Sequence, residues 1–498
     1  SGKVTDETGE PLSGVVVSYK TGNKNSGTVT NANGEFSVNL PAGTLVTFSY
    51  LGYDDQQLIV GKNLTKNIMM RSNVKQLDDV VVIGYGSVKK KDVLGSISTV
   101  KESDLGNRLS SNVTSALRGL TSGVKVTSSG MPGEDANIVI RGLGSLTNNS
   151  PLFIIDGAYA GDELGVNVDD IESIQVLKDA SSAAIYGSRA GNGVVIITTK
   201  HGSEGPLKVN FNTQVNVNWL PRYDLMDAEK WKLYDDRAYS EAILAGVSGV
   251  TSLPNHFDGN TDWQEEMLKT AVERNYNVSF SGGSKTIRYY VSLNREVNDG
   301  ALMGTHYDKY GGRINTTGTK GIFSYGENFY YTKSKKRNFM GYGNNPWANF
   351  ITMPPTVPVY DDSHPGGFGY GENSRDYTYG LNPVAQQKLN ISENPEEILI
   401  GNMYGQVSIL KDMLNAKINI GYKSYDGTTN SLRKKGNWTM GQGDDRASLG
   451  YANSHWYDIL VEHTYEFKHK FGQHDINLVG GISYDRYKEQ YRWITKLD

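Results

Sequence analysis

Leu207-Lys208-Val209-Asn210-Phe211-Asn212-Thr213-Gln214-Val215-Asn216-Val217-Asn218-Trp219 alternates apolar and polar side chains along its whole length. On an extended chain, Leu207, Val209, Phe211, Val215, Val217 and Trp219 fall on one face, and Lys208, Asn210, Asn212, Gln214, Asn216 and Asn218 on the other. Such a period of two marks a β-strand with unlike faces. About eleven residues at roughly 3.3 Å each, tilted by about 45°, cover roughly 25 Å, the height of an apolar membrane band, whereas most soluble strands are about half as long. Alternation alone does not say which face meets water, because a soluble sandwich buries the apolar face that a membrane barrel turns to lipid.

The pattern recurs downstream. Ile287, Tyr289, Val291 and Leu293 alternate with polar neighbours, as do Leu414, Ala416, Ile418, Ile420 and Tyr422, and Tyr276, Val278, Phe280, Ile459, Val461, Tyr465 and Phe467 fit the same scheme. Connections between these runs alternate in length. Long segments to about 272, from about 334 to 396 and from about 426 to 449, with a modest one at 298–304, are interleaved with tight turns at Ser281-Gly282-Gly283-Ser284, Thr316-Thr317-Gly318, Lys411-Asp412 and 470–473. Short turns on one side and long loops on the other are the outer-membrane barrel pattern. About nine strands are expected before Asp498. An odd, partial set does not close such a barrel, so the chain is expected to be a piece of a protein roughly twice as long.

Upstream the periodicity changes. Residues 92–202 mix helical and strand spacing: a helix over Thr114–Leu120, short strands Ile138–Gly142, Leu152–Gly157, Ile171–Leu177 and Gly193–Thr199, and a small-residue helix Ser181–Gly187, together a compact α+β unit. Residues 1 to about 70 carry short β runs with turn chemistry at Gly9-Glu10-Pro11 and Asn33-Gly34, the spacing of a small sandwich. Between them lie a polar linker, Arg71–Gln76, and the run Leu77-Asp78-Asp79-Val80-Val81-Val82-Ile83-Gly84-Tyr85-Gly86. Its four consecutive β-branched residues favour extended backbone, either as a buried strand or as one offered to a partner's sheet edge.

The wording of these segments resembles known modules. Gly2-Lys3-Val4, Gly9–Val15, Thr30–Phe36 and Tyr50-Leu51-Gly52-Tyr53 resemble the carboxypeptidase-regulatory-like domain, and Asp79–Gly86 resembles the segment carrying the TonB box in SusC-like proteins. Ala116–Leu120, Val139–Gly142, Phe153–Gly157, Ile174–Ala180 and Ser182–Ala190 resemble the plug of TonB-dependent receptors, in order through almost the whole segment. The chain thus resembles the N-terminal half of a SusC/RagA-like TonB-dependent outer-membrane transporter of the Bacteroidetes type. That resemblance implies a mainly β protein: an Ig-like β-sandwich over 1–72, a linker with the TonB box over 73–90, an α+β plug domain over 91–202, and over 203–498 the first part of an antiparallel transmembrane β-barrel. In the family that barrel has twenty-two strands.

The resemblance also implies active import across the outer membrane, with the N-terminal domain and plug on the periplasmic side. TonB, with ExbB and ExbD, would pair with Asp79, Val80, Val81, Val82 and Ile83, and a SusD-like lipoprotein would cover the loops over an oligosaccharide or peptide substrate. A plug in a wet lumen must hold the barrel wall by bonds that can break, which singles out Arg141, Asp156, Lys178, Asp179 and Arg189. The competing expectation for each is a local surface pair. Tyr342, Trp347, Tyr360, Phe368, Tyr370 and Tyr377 crowd the longest loop, where aromatic faces either stack on sugars and the lid or pack on one another.

Composition narrows the alternatives. A net charge of −4 with interspersed signs argues against nucleic acid as a partner, and the absence of cysteine excludes disulfides and thiolate chemistry. There is no run of about 20 apolar residues, so a membrane role requires strands. The start at Ser1 shows no secretory leader, which is read as removed or trimmed. His455, His463, His469 and His474 follow strand and turn positions without a carboxylate set, and Asp361-Asp362 reads as a solvated turn, so no metal and no cofactor is expected. No nucleophile elbow is present, and no enzyme is expected. A secreted glycan-binding β adhesin and a signalling receptor on the same barrel are the competing readings.

Overall fold

The computed structural model describes residues 1–498 except 7–8, 22–23, 51–52, 62–64, 66, 71–79, 84–85, 90–96, 106–111, 146–147, 161–164, 180–183, 340–345, 377, 379, 411–412, 440–441, 445, 473 and 498. It divides into two compact units, Ser1–Ile83 with Ser87–Val93, and Gly84–Gly86 with Leu94–Asp498.

The first unit is a two-sheet sandwich. One sheet orders Lys24–Val29, Val16–Thr21, Leu45–Ser49 and Gln56–Ile59; the other sets Gly2–Thr5 between Glu35–Phe36 and Ile68–Met69. Alternate residues Val15 and Val17, and Val46 and Phe48, turn inward onto Val4, Phe36, Ile68 and Met70, as period-two strands in a sandwich must. The Asn33-Gly34 turn is present: Asn31 Oδ1 accepts from the amides of Asn33 (3.0 Å) and Glu35 (2.9 Å). Gly34 has φ +73°, and a Cβ there would lie 2.5 Å from the Val4 carbonyl, so glycine is required on both counts. Val80–Ile83 pairs with Gly86–Lys89 in a separate two-stranded sheet, so the β-branched run already has a partner in the chain.

The second unit begins with the plug. Its five-stranded sheet runs Ile97–Lys101, Ile171–Leu177, Val194–Thr199, Leu152–Ile155, Ala158–Tyr159, with Leu152–Ile155 parallel to Val194–Thr199. Val195 and Ile197 pack on one face with Phe153, Ile155 and Ile174; Val194 and Ile196 pack on the other with Ile154 and Leu177. Burial on both faces explains why Val194-Val195-Ile196-Ile197 reads as a continuous apolar run. The first expected helix is cut short, and the described part of the second is of a different kind. The first is only Val113–Ala116, where Asn112 caps the amides of Thr114 and Ser115 and the chain turns at Gly119 (φ +72°); β-branched Val113 and Thr114 propagate a helix poorly. The second is a 3-10 segment, Ala184–Ala190, interrupted at Gly187.

Nine antiparallel strands follow, each hydrogen-bonded to the next in chain order. They are β1 (Gly205–Asn218), β2 (Ala271–Gly283), β3 (Ile287–Asp299), β4 (His306–Lys320), β5 (Phe323–Arg337), β6 (Asn390–Leu410), β7 (Leu414–Arg433), β8 (Ser448–Phe471) and β9 (His474–Leu497). Register carries Val209, Phe280, Val291, Ile314 and Phe329 across one face as a continuous row. The burial of this sheet is inverted relative to a soluble one. Val209, Phe211, Leu293, Ile314, Phe323 and Ile418 are exposed, while Asn277, Ser292, Asn294, Glu296, Arg313, Asn315, Asn328 and Asn402 are buried.

All the short turns lie at the end where the chain enters from the plug; the long connections lie at the other. Those connections are not structureless. Ala228–Leu244 is a helix capped by Asp227, and Trp263–Met267, Pro346–Thr352 and Pro383–Leu389 are shorter ones. Trp263, Met267, Phe350, Val357, Phe368, Val384 and Leu389 form a loop core of their own. Among the described residues, no helix is long and apolar enough to cross a membrane.

Candidate functional site

The site is where the plug meets the buried polar face of the strands. Asp156-Gly157 joins Leu152–Ile155 to Ala158–Tyr159 as a two-residue hairpin, with φ of +47° and +88°. Two successive positive φ values are what a type I′ turn demands, and Asp-Gly is among its preferred sequences. The turn carries the Asp156 carboxylate to the strand wall. Thr199 donates from its amide (2.9 Å) and hydroxyl, Asn328 donates its side-chain amide, and the Asp156 carbonyl accepts from Asn402 Nδ2 at 3.1 Å. Arg313, with a side chain only 1% exposed, lies 3.7 Å from the same carboxylate. Its guanidinium also donates to the Lys200 carbonyl (2.8 Å), Asn328 Oδ1 (3.1 Å) and the Thr199 hydroxyl. A buried guanidinium is tolerated when its donors are satisfied and a carboxylate stands beside it, as here.

Further bonds extend the seam. Tyr290 donates to Asp170 at 3.0 Å, and burial raises the Asp170 carboxyl above the usual range, opposed by Arg313. Lys423 donates to the Ala160 carbonyl, Asn212 to Asp169 at 2.9 Å, and Arg189 pairs with Asp485 on β9 at 2.6 Å while lying over the Tyr159 ring. Tyr330, Ile398 and Ile400 add an apolar patch from the wall to the plug core. Near the loop end, a cavity of about 210 Å³ separates plug from wall, lined among others by Asn112, Glu134, Asp135, Glu273, Glu296 and Lys309. Lys309 pairs with Glu296 at 3.0 Å, leaving the lining acidic.

Of the polar plug residues singled out in the sequence, Asp156 and Arg189 bond to wall strands. Arg141 and Asp179 instead pair with each other across the plug, and Lys178 donates to Ser98 Oγ and the Ser122 carbonyl, both at 2.6 Å and both within the plug. Arg313, Asn328 and Asn402 went unnoticed; their signal was a charged or amide residue at a period-two position deep inside a long strand. Among the loop aromatics, Phe368 and Tyr370 are buried, Tyr370 stacked on His364 at 3.9 Å. Tyr360 is exposed, tilted against Phe368, and its hydroxyl accepts from Lys388 at 2.6 Å. Trp347 lies on the helix Pro346–Thr352. Tyr342, Tyr377, Asp79, the Trp347 side chain and the side chains of Val80, Val81, Val82 and Ile83 lie outside the described residues. His455 bonds Asp426 at 3.2 Å, and Asp361 closes its own turn onto the Ser363 amide at 2.9 Å.

Comparison with known proteins agrees with this geometry. Residues 89–194 match the TonB-dependent receptor plug domain and residues 1–82 the CarboxypepD_reg-like domain. The TonB-dependent receptor SusC of Bacteroides thetaiotaomicron is 34% identical over 77% of this chain and 38% of its own length. The chain belongs to the SusC/RagA-like family of TonB-dependent receptors. A TonB-dependent receptor of Formosa agariphila is 31% identical over 98% of the chain and 49% of its own length. The structure of the RagAB peptide importer in the open-open state superposes with a TM-score of 0.70 at 25% identity, covering 84% of this chain and 50% of that one. The chain spans about half the length, or less, of these relatives. In family terms the nine-stranded sheet is part of the barrel wall, and the polar seam joins it to the plug.

Proposed function

We propose that the protein imports a nutrient across the outer membrane, driven by TonB with ExbB and ExbD, and in company with a SusD-like surface lipoprotein. The observation that carries this reading is the inverted burial of the strands: an apolar face that none of the described residues covers, and a polar face turned onto a plug. Lipid satisfies the first, and a seam of individually weak bonds suits a plug that must be displaced and reseated. Each such bond contributes about 0.5–1.5 kcal/mol net, so force applied at one end breaks them in turn. The adhesin reading requires that same apolar face to be buried between sheets.

Substrate would bind outside, between loops and plug, over the polar cavity near Glu134, Glu273 and Glu296. Its carboxylates accept hydrogen bonds from sugar hydroxyls and from peptide amides alike, so an oligosaccharide or a peptide is the class proposed; the RagAB relative, a peptide importer, supports the second. TonB would engage Asp79, Val80, Val81, Val82 and Ile83; among the described residues Val80–Ile83 pairs with Gly86–Lys89 alone, which leaves its other edge to a third strand. Deleting residues 78–86 is expected to abolish uptake while leaving binding at the cell surface intact. Undiminished uptake by that deletion would remove the segment from the mechanism.

A further inference from the structure

Away from the plug seam, the described residues of the loop region hold a cluster whose chemistry neither transport nor packing explains. His256 sits between two loop segments, its side chain 8% exposed. Its Nδ1 is 2.7 Å from Asp376 Oδ1 and its Nε2 is 3.2 Å from Asp236 Oδ1. Asp235, the neighbour of Asp236 on the helix Ala228–Leu244, completes a group with His256 and Asp376 in which one ligand atom from each lies within 4.8 Å of the others. Three carboxylates therefore surround one imidazole. The adjacent cations are engaged elsewhere: Arg375 bonds Glu372 and lies over the Phe257 ring, and Lys232 pairs with Asp258.

We propose that Asp235, His256 and Asp376 form a binding site for a divalent transition metal of the zinc class, which fastens the helix Ala228–Leu244 to the long loop before β6. Imidazole with carboxylates suits zinc and its neighbours better than calcium or magnesium, which prefer all-oxygen sets. The Asp376 side chain is fully buried and already aimed: Oδ2 accepts from the Phe257 amide at 2.6 Å, which leaves Oδ1 toward His256. Its backbone is held as well, donating to the Asn255 carbonyl at 2.9 Å with φ +42°, a conformation that costs a non-glycine residue energy and persists where the surroundings impose it. Nδ1 and Oδ1 need part by only a fraction of an ångström, since two ligands at about 2.0–2.1 Å from a tetrahedral metal sit roughly 3.3 Å apart. Asp236 then accepts from the Nε2 hydrogen, the outer carboxylate that fixes the tautomer of metal-bound histidine.

The test uses the protein purified in detergent from native outer membranes, stripped with chelator, dialysed and titrated calorimetrically with zinc chloride. One equivalent is expected to bind, with binding lost in His256→Gln and Asp376→Asn and weakened by about 10–100-fold in Asp236→Asn. Because Asp376 also secures the Phe257 amide, Asp235→Asn serves as the variant that removes a ligand from a helix surface; it too is expected to abolish stoichiometric binding while leaving metal-free thermal unfolding unchanged. Cobalt substituted at the site is expected to give a tetrahedral visible spectrum that His256→Gln removes. Absence of stoichiometric zinc in the folded wild type, or affinity unaltered by His256→Gln and Asp235→Asn, would overturn the proposal.

Discussion

Asp156 shows how much one side chain decides. Replacing it with alanine removes the acceptor of Thr199 and Asn328, leaves the buried Arg313 guanidinium without its carboxylate, and puts alanine at φ +47°. Asp156→Ala is expected to loosen the plug by about 3–5 kcal/mol, read as protease sensitivity of residues 91–202 in the folded barrel. Arg141→Ala, which breaks a half-exposed pair within the plug, is expected to cost under about 1 kcal/mol in the same assay. Asp170 behaves differently because burial raises its pKa. A carboxyl that holds its proton more tightly when folded makes the folded state the better proton binder above the unfolded value of about 3.9, so its contribution falls as pH rises through that window. Asp170→Asn, with no proton to lose, is therefore expected to gain on the wild type in urea stability as pH rises above about 4, the unfolded value. Equal pH slopes for the two proteins would contradict this account. The Asp156-Gly157 turn could be read from its wording; its partners could not, because Asn328 and Asn402 lie far along the chain and meet it only through strand register.

Among elements, the strands were the most legible and the loops the least. Alternation places an apolar residue on one face whatever the fold, which is why about nine wall strands are expected from it; the turn expected at Thr316-Thr317-Gly318 lies inside β4, and the chain reverses instead between Lys320 and Phe323. The helix Ala228–Leu244 escaped notice because Ala228 is its one buried residue and no apolar stripe marks it. Its companions Trp263–Met267 and Pro383–Leu389 are too short for periodicity to show, and the loop core they build is assembled from residues scattered between 257 and 389. The orientation of the strands yields a sharp expectation. Ile314→Arg on the exposed face of β4 is expected to destabilise the barrel in lipid vesicles by about 2–4 kcal/mol, against at most about 0.5 kcal/mol if that face met water. Denaturant titration from vesicles separates the two.

At the scale of the molecule, the nine-stranded sheet is open, with β1 and β9 each paired on one side. Unpaired backbone at a sheet edge is not tolerated in hydrocarbon, so residues 1–498 expressed alone are expected to aggregate on refolding and to give no heat-modifiable band on gels. A monodisperse, detergent-free preparation would instead mean that the apolar stripes are hidden. By itself the sequence determined which residues share a strand face, where the chain must turn and the order of sandwich, plug and wall, since these follow from local periodicity and from φ limits on single residues. Tertiary structure alone decided which face is buried, which wall residues hold the plug and how the loops pack. Those outcomes depend on groups hundreds of residues apart being brought within bonding distance, and no local pattern encodes that distance.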